Sequence, residues 1–424
     1  MRYAEGPVNF AVVKKAVRLA LLAGLFSFAT QAQQLTPSWV ELGENGAAIA
    51  RVIVTSPSDC PSLKIDGSPS RMSLREPTPH GFRPVCELAI PATAKSASLN
   101  GKRLHLPRRN PSRIVALGDT GCRIKGAQIQ DCNHPDKWPF LQLAMRASRE
   151  KADLVIHVGD YLYRESPCPA GANAMCGGAP SGDNWDAWNA DFFKPAAKLL
   201  AASPWAFSRG NHEDCLRSWR GFFYYLDPRP WTAVCQKYGK PYVITLGAFQ
   251  LAMIDSSAVQ ESSMNLEQVI EYSSQFSSLH LQNAWLADHH PFWGLRPDGN
   301  GGAPAPISVP LLAAWLRVKP QGIDLILSGH IHLFEFVDFR NYPPQLVAGD
   351  GGTDMDRAIG NPTEKMQVDD EPMILAQNYS EFGYSVFTKR NSSWRLTFKN
   401  LAGRPIFTAP VRPAASGAVA SASN

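Results

Sequence analysis

Two apolar runs, Ile114-Val115-Ala116-Leu117 and Leu154-Val155-Ile156-His157-Val158, both break off at a Gly-Asp pair, Gly118-Asp119 and Gly159-Asp160. A helix-like segment around Trp138–Met145 lies between them. Strand, helix and strand at this spacing make a βαβ unit, which sets two strands parallel in one sheet. Runs so continuously apolar belong to strands covered on both faces, so an α/β fold is expected. Two further runs of the same kind are Leu251–Asp255 and Ile323–Gly329, with helices expected near Ala187–Ala202, Gln275–Asp288 and Val309–Val318. In open α/β sheets, ligands collect beyond the carboxyl ends of the strands. Asp119, Asp160 and His330 fall at that edge.

The residues gathered there share a chemistry. Each Asp follows a glycine, which permits a tight turn and close backbone approach. Carboxylates at equivalent ends of neighbouring strands repel each other unless a cation separates them. In Gly329-His330-Ile331-His332 the two histidines stand two apart after a strand, so both project to one side. Arg209-Gly210-Asn211-His212-Glu213 offers the amide oxygen of Asn211, with His212 better placed to serve a substrate. Asp288-His289-His290-Pro291 adds an imidazole on a loop expected to follow a helix, and the residues alone do not choose between His289 and His290. With Tyr163, in Gly159-Asp160-Tyr161-Leu162-Tyr163, these side chains form a ligand set for two ions held side by side. The first hypothesis is therefore a metal-dependent hydrolase acting on phosphate esters. Gly349-Asp350-Gly351-Gly352-Thr353 lacks the lysine of a nucleotide P-loop and reads as a tight turn near the site. Arg123, Arg164 and Glu165 are as compatible with a pocket wall as with a solvated loop. Asp183, Trp185 and Trp188 either shape a substrate wall or pack.

In chain order, Gly118-Asp119-Thr120-Gly121, Gly159-Asp160-Tyr161-Leu162-Tyr163, Gly210-Asn211-His212-Glu213, His289 two residues before Pro291, and Gly329-His330-Ile331-His332 resemble the motifs of the calcineurin-like metallophosphoesterases. Tyr163 points within them to the purple acid phosphatase-like branch. The resemblance spans about Arg113 to His332. It implies a metallophosphoesterase-type αββα sandwich with a binuclear centre. By position, Asp119, Asp160, Tyr163 and His332 would bind one ion. Asp160, Asn211, His289 and His330 would bind the other, with Asp160 bridging. The broader superfamily carries a histidine where this chain has Gly121, and Tyr163 would fill the vacancy. A phenol has an unperturbed pKa of ~10 and needs a strongly polarising ion to bind as phenolate. The implied cofactors are thus Fe(III) with Zn, Fe or Mn(II). Paired ions lower the pKa of a bound water and clamp the attacking and leaving oxygens. The implied reaction is phosphomonoester hydrolysis by attack of metal-bound hydroxide, with Asp160 central and His212 as hydrogen-bond donor or general acid. Ser208 and Ser328 need no catalytic role. Alternatives are a phosphodiesterase acting on nucleotide or lipid headgroup esters and, from another class, a non-catalytic metal-stabilised binding protein.

The chain's ends carry other signals. Arg2, Lys14, Lys15 and Arg18 precede the apolar run Leu19–Ala29, and small residues end at Ala32. Residues 1–32 read as a cleavable secretory signal, with periplasm or exterior as destination. An uncleaved anchor is the alternative, although the run is short of the ~20 residues that span a bilayer. No later segment approaches that length. The segment holds four basic residues and one acid, so its removal takes the net charge from +5 to about +2. That balance gives little support for a nucleic-acid partner, and a small phosphate ester is the expected one. Cys60, Cys86, Cys122, Cys132, Cys168, Cys176, Cys215 and Cys235 all lie in the exported part. An even count in an oxidising compartment suggests disulfides. Nearest-neighbour pairing is favoured, since each loop is short and brackets an irregular segment; thiolate ligation of zinc is the alternative. Residues 33–108 read as a small β-sandwich-like domain, 109–408 as the catalytic domain, and 409–424, rich in Ala, Ser and Pro, as a disordered tail.

Overall fold

The computed structural model describes residues 37–296, 303–359, 367–368 and 371–412; the expected secretory signal lies outside them. Strands β1 (Ser38–Leu42), β2 (Ala48–Ile53) and β3 (Val85–Ile90) precede β4 (Arg113–Leu117), β5 (Leu154–His157) and β6 (Trp205–Phe207). There follow β7 (Tyr242–Leu246), β8 (Phe249–Met253), β9 (Ala284–Ala287), β10 (Ile323–Ser328), β11 (Phe334–Phe339), β12 (Gln345–Ala348) and β13 (Glu371–Tyr379). The last strands are β14 (Gly383–Arg390), β15 (Ser393–Asn400) and β16 (Pro405–Val411). One sheet runs β16-β15-β14-β4-β5-β6-β1-β2-β3 with Ser73–Leu74 at its edge, and the other β7-β8-β9-β10-β12-β11-β13 with Gln367–Val368 at its edge. β4, β5 and β6 are mutually parallel, as are β8, β9, β10 and β12.

The alternation of side chains along each strand explains the layering. In β4, Ile114 and Ala116 enter a core shared with Leu251, Trp285 and Leu325 of the other sheet. Val115 and Leu117 instead meet Phe140, Leu143 and Leu199 from α1 (Phe140–Ala147) and α2 (Lys194–Ala202). Leu286 and Ile326 pack on Phe276, Leu311 and Trp315 of α3 (Leu266–Ser278) and α4 (Val309–Val318). Helices thus cover the outer face of each sheet, giving αββα. Trp285 meets Phe387 of β14 across the sandwich at 4.6 Å between ring centroids. Each large apolar side chain sealed this way contributes roughly 1.5–3 kcal/mol. Among the described residues no helix is long and apolar enough to cross a membrane.

Two expected boundaries move. The helix expected at 275–288 ends at Ser278, and Ala284–Ala287 is the central strand β9, buried on both faces. Four apolar residues carry no period that separates strand from helix. The tail expected from Ala409 does not include its first three residues, since Ala409, Pro410 and Val411 pair with β15; residues 413–424 lie outside the described set.

The N-terminal region is rich in strands, as expected, but only Ser62–Ile65, Ser68–Arg71, Ala97–Leu99 and Lys102–Leu104 form a sheet of their own. β1 lies parallel to β6, with Glu41 opposite Trp205, so β1 to β3 extend the first sheet. Arg51 fastens them there. Fully buried, it donates to Glu41 at 2.7 Å and to the carbonyls of Tyr225 and Asp227 at 2.7 and 2.8 Å. Strand-like composition identifies a strand without identifying its neighbour.

The disulfides join nearest neighbours: Cys60–Cys86, Cys122–Cys132, Cys168–Cys176 and Cys215–Cys235. The last three staple the segments that leave the carboxyl ends of β4, β5 and β6.

Candidate metal centre

The turns after β4 and β5 hold Asp119 at φ +54° and Asp160 at φ +59°, and His330 after β10 sits at φ +72°. Non-glycine residues rarely adopt this left-handed conformation, and it persists where the surroundings over-determine it. The determinants are visible. The Glu213 carboxylate accepts the backbone N–H groups of Asp160, Tyr161, Leu162 and Gly210 at 2.9–3.1 Å. Asp191 does the same for the next turn, accepting from the N–H groups of Tyr163, Arg164 and Cys122 and pairing with the Arg164 guanidinium. Two glycines give the room. A Cβ on Gly159, at φ +105°, would stand 2.5 Å from His289 Nδ1. One on Gly121 would stand 2.7 Å from the Tyr161 carbonyl oxygen and 2.9 Å from both Tyr163 N and Cδ2. No side chain at position 121 coexists with Tyr163 where it lies.

The structure brings all seven expected ligands together. The Tyr163 hydroxyl lies 3.0 Å from Asp119 Oδ1, 2.8 Å from Asp160 Oδ2 and 2.9 Å from His332 Nε2. On the other side of Asp160, the Asn211 amide oxygen stands 2.9 Å from His289 Nε2 and 3.0 Å from His330 Nδ1. His289 Nε2 is 3.2 Å from Asp160 Oδ2. Asp119, Asp160 and His332 form one group able to hold a metal ion, and Asp160, His289 and His330 another, so Asp160 belongs to both. Of the two histidines before Pro291, His289 faces Asp160, whereas His290 lies behind His330 at 4.2 Å between ring centroids. His289 follows strand β9, not a helix.

Backbone partners select the tautomers. His289 Nδ1 lies 2.8 Å from the Val158 carbonyl and His332 Nδ1 lies 2.9 Å from that of Asp354. A proton on each Nδ1 satisfies those carbonyls and leaves each Nε2 lone pair directed inward, the arrangement typical of metal-binding histidine. Burial pushes the Asp119 carboxyl well above its ordinary range, and the charge of Asp160 adds to that. Burial opposes the charge on His289 too, yet Asp160 raises its pKa to about 10, so in the absence of an ion Nε2 also holds a proton, toward Asp160, which a bound cation would displace to free that lone pair. Two fully buried carboxylates with a phenol, an amide and imidazoles around them are a donor set suited to cations.

His212 lies beside this set. Its ring packs on that of Tyr163 at 3.8 Å between centroids, and its Nδ1 is 2.6 Å from Glu165 Oε1. Glu165 is thereby a partner of His212, whereas Arg164 is committed to Asp191. A cavity of about 600 Å³ opens over the set, lined by Arg123, His212, Arg217, His330 and Asp354 among others. Arg123 holds its guanidinium 5.1 Å over the Tyr163 ring. Trp185 and Trp188 pack in the core beneath α2, and Asp183 accepts from Trp188 Nε1 at 2.9 Å, so none of the three shapes a wall of this cavity. Ser328 donates to Asp288 at 2.6 Å, away from the cavity chemistry. The Gly349–Thr353 turn is a brace: Gly351 N–H and Thr353 N–H donate to the carbonyls of Gly118 and Asp119. Sequence reasoning assigned nothing to Glu213, Asp191 or Glu261. Glu213 stands inside a recognised motif, but its part as acceptor for a distant turn shows only once β5 and β6 are adjacent.

Comparison with known proteins agrees with the architecture. No curated protein matches the sequence significantly. The purple acid phosphatase PPD1 from yellow lupin (Lupinus luteus) seeds superposes with a TM-score of 0.55 at 14% identity, over 88% of this chain and 74% of that one. A structure of PhoD gives 0.48 at 11% identity, over 89% and 88%. The first likeness speaks to the fold, and the second is too distant to add to it. The calcineurin-like phosphoesterase family model matches residues 112–334, more than half of the chain, and the protein belongs to that family of phosphoric ester hydrolases.

Proposed function

We propose that this chain is an exported binuclear-metal phosphomonoesterase. Asp119, Asp160, Tyr163 and His332 would hold Fe(III), and Asp160, Asn211, His289 and His330 a divalent Zn, Fe or Mn. The observation that carries this reading is the Tyr163 hydroxyl within 3.0 Å of Asp119, Asp160 and His332 at once. When bound, the ions supply Lewis acidity and a nucleophile from water at lowered pKa. The remaining work falls to side chains. His212 lines the cavity beside the ligand set and would serve as hydrogen-bond donor or general acid to a leaving oxygen; burial lowers its pKa, and Glu165 Oε1, 2.6 Å from Nδ1, opposes that shift by favouring the charged ring. Arg123 and Arg217 line the same cavity and would draw in and orient a phosphate. Export is supported by the N-terminal segment and by four disulfides among the described residues. The test is phosphate release from a chromogenic monoester by the purified protein, with a chromogenic diester in parallel. Release from the monoester is expected; no release with any metal supplied overturns the enzyme reading, and faster diester cleavage overturns the substrate class.

A further inference from the structure

Behind the second ligand group lies another cluster that the proposed mechanism does not use. Glu261, from the segment between β8 and α3, places Oε1 3.0 Å from His330 Nε2 and 3.9 Å from His290 Nε2. Its carbonyl accepts the N–H of Val309 at the start of α4 at 2.9 Å, which ties that segment to the helix. His290 is 1% exposed and presents its ring to His330 at an interplanar angle of 37°. The N–H groups of His289 and His290 both donate to Ser256 Oγ, at 3.0 and 2.9 Å. His330 needs such support. Its side chain is 16% exposed, against 0% for His289 and 10% for His332, and among the described residues no backbone carbonyl holds its outer nitrogen.

We infer that Glu261 is a positioning residue for the second ion: its carboxylate, 3.0 Å from His330 Nε2, holds the ring proton on that nitrogen, so that the Nδ1 lone pair faces Asn211 and the ion. This rests on the proposal that His330 is a ligand. A carboxylate behind a ligating imidazole fixes tautomer and ring angle and raises basicity, and its loss typically costs about 10–100-fold in metal affinity. His290 limits rotation of the ring from its face. The three side chains also lie close enough to hold an ion themselves, and the experiment separates the two roles.

The full-length protein is loaded with iron, then titrated with zinc against a competing chelator. Ions are counted by elemental analysis, and the first site is followed by its phenolate-to-iron absorption. Glu261→Ala should bind the second ion about 10–100-fold more weakly with absorption unchanged. Glu261→Gln keeps an acceptor oxygen and should lie between that variant and the parent. Unaltered zinc affinity in Glu261→Ala overturns the inference. So does loss of both ions, which would make Glu261 a support of the whole site, and so do three ions in the parent with two in the variant. His330→Ala is the control on the underlying reading: if it retains the second ion, the ligand assignment fails, independently of Glu261.

Discussion

Glu213→Gln is the sharpest test of how the fold holds its centre. Glu213 Oε1 accepts from Tyr161 N–H at 2.9 Å and Leu162 N–H at 3.1 Å; Oε2 accepts from Asp160 N–H and Gly210 N–H, both at 3.1 Å. Four donors fill both oxygens. An amide keeps one oxygen and turns an NH₂ toward two of those N–H groups, leaving two buried donors without acceptors. Each orphaned group costs ~1–3 kcal/mol, so the substitution should destabilise by ~2–6 kcal/mol although it changes hardly any volume. Burial and then the charge of Asp160 push the Glu213 acid up to about 8. A cation on Asp160 removes the second push while the four donors oppose the first, so metal-loaded protein is the proper sample. Urea unfolding read by tryptophan fluorescence, disulfides intact, should show the midpoint displaced downward, and elemental analysis should show both ions bound less tightly, since Asp160 belongs to both groups. Unfolding within ~0.5 kcal/mol of the parent, with two ions retained, would mean that a neutral group serves equally well, and the clamp argument would be refuted.

His212→Ala should retain both ions and lose ~10²–10⁴ in kcat, the usual worth of a general acid; an unaltered rate removes its role. Tyr163→Phe should abolish visible phenolate-to-iron absorption in iron-loaded protein, and unchanged colour would reject a ferric ion beside the phenol. Glu335, fully buried, has its carboxyl pushed by burial from 4.5 up to about 8, with the Leu295 N–H at 3.3 Å offsetting little. Across that interval the folded chain keeps a proton that the unfolded chain has released, so this group's stabilisation is complete below pH 4.5 and is lost as pH rises through 8. The loss amounts to about 5 kcal/mol on 1.36 kcal/mol per unit. Glu335→Gln should therefore flatten the decline in unfolding midpoint between pH 5 and 8, and an unchanged slope would place the titration elsewhere.

The parts legible in the sequence are those that a local pattern specifies. Continuous apolarity in Ile114–Leu117 and Leu154–Val158 identified strands buried on both faces, and a chemical residue immediately after each strand identified the edge where ligands gather. Short loops identified the disulfides. The illegible parts depend on which elements become neighbours. Ala284–Ala287 is a strand because β8 and β10 flank it, and nothing in four apolar residues says so. β1 could not be assigned to the main sheet while its partner β6 stood so far along the chain. Glu261 carries no local sign of its place beside His330.

Gly121 and Tyr163 show how a local absence becomes a structural requirement. Resemblance explained the glycine as a missing histidine whose place the phenol takes. The packing around the turn supplies the mechanical reason. A Cβ at 121 would meet two backbone atoms, the Tyr161 oxygen and the Tyr163 nitrogen, as well as the ring. Truncating Tyr163 would relieve only the ring contact, so the turn itself excludes a side chain at 121. The exchange therefore does not reduce to one ligand for another at a fixed backbone. The turn held by Asp191 is already built for the phenol, and restoring a histidine at 121 requires that turn to open first. A Gly121→His, Tyr163→Phe double substitution would accordingly lose the first ion instead of recovering it, and recovery of a stable two-ion protein by that pair alone would show the turn to be more yielding than its contacts allow.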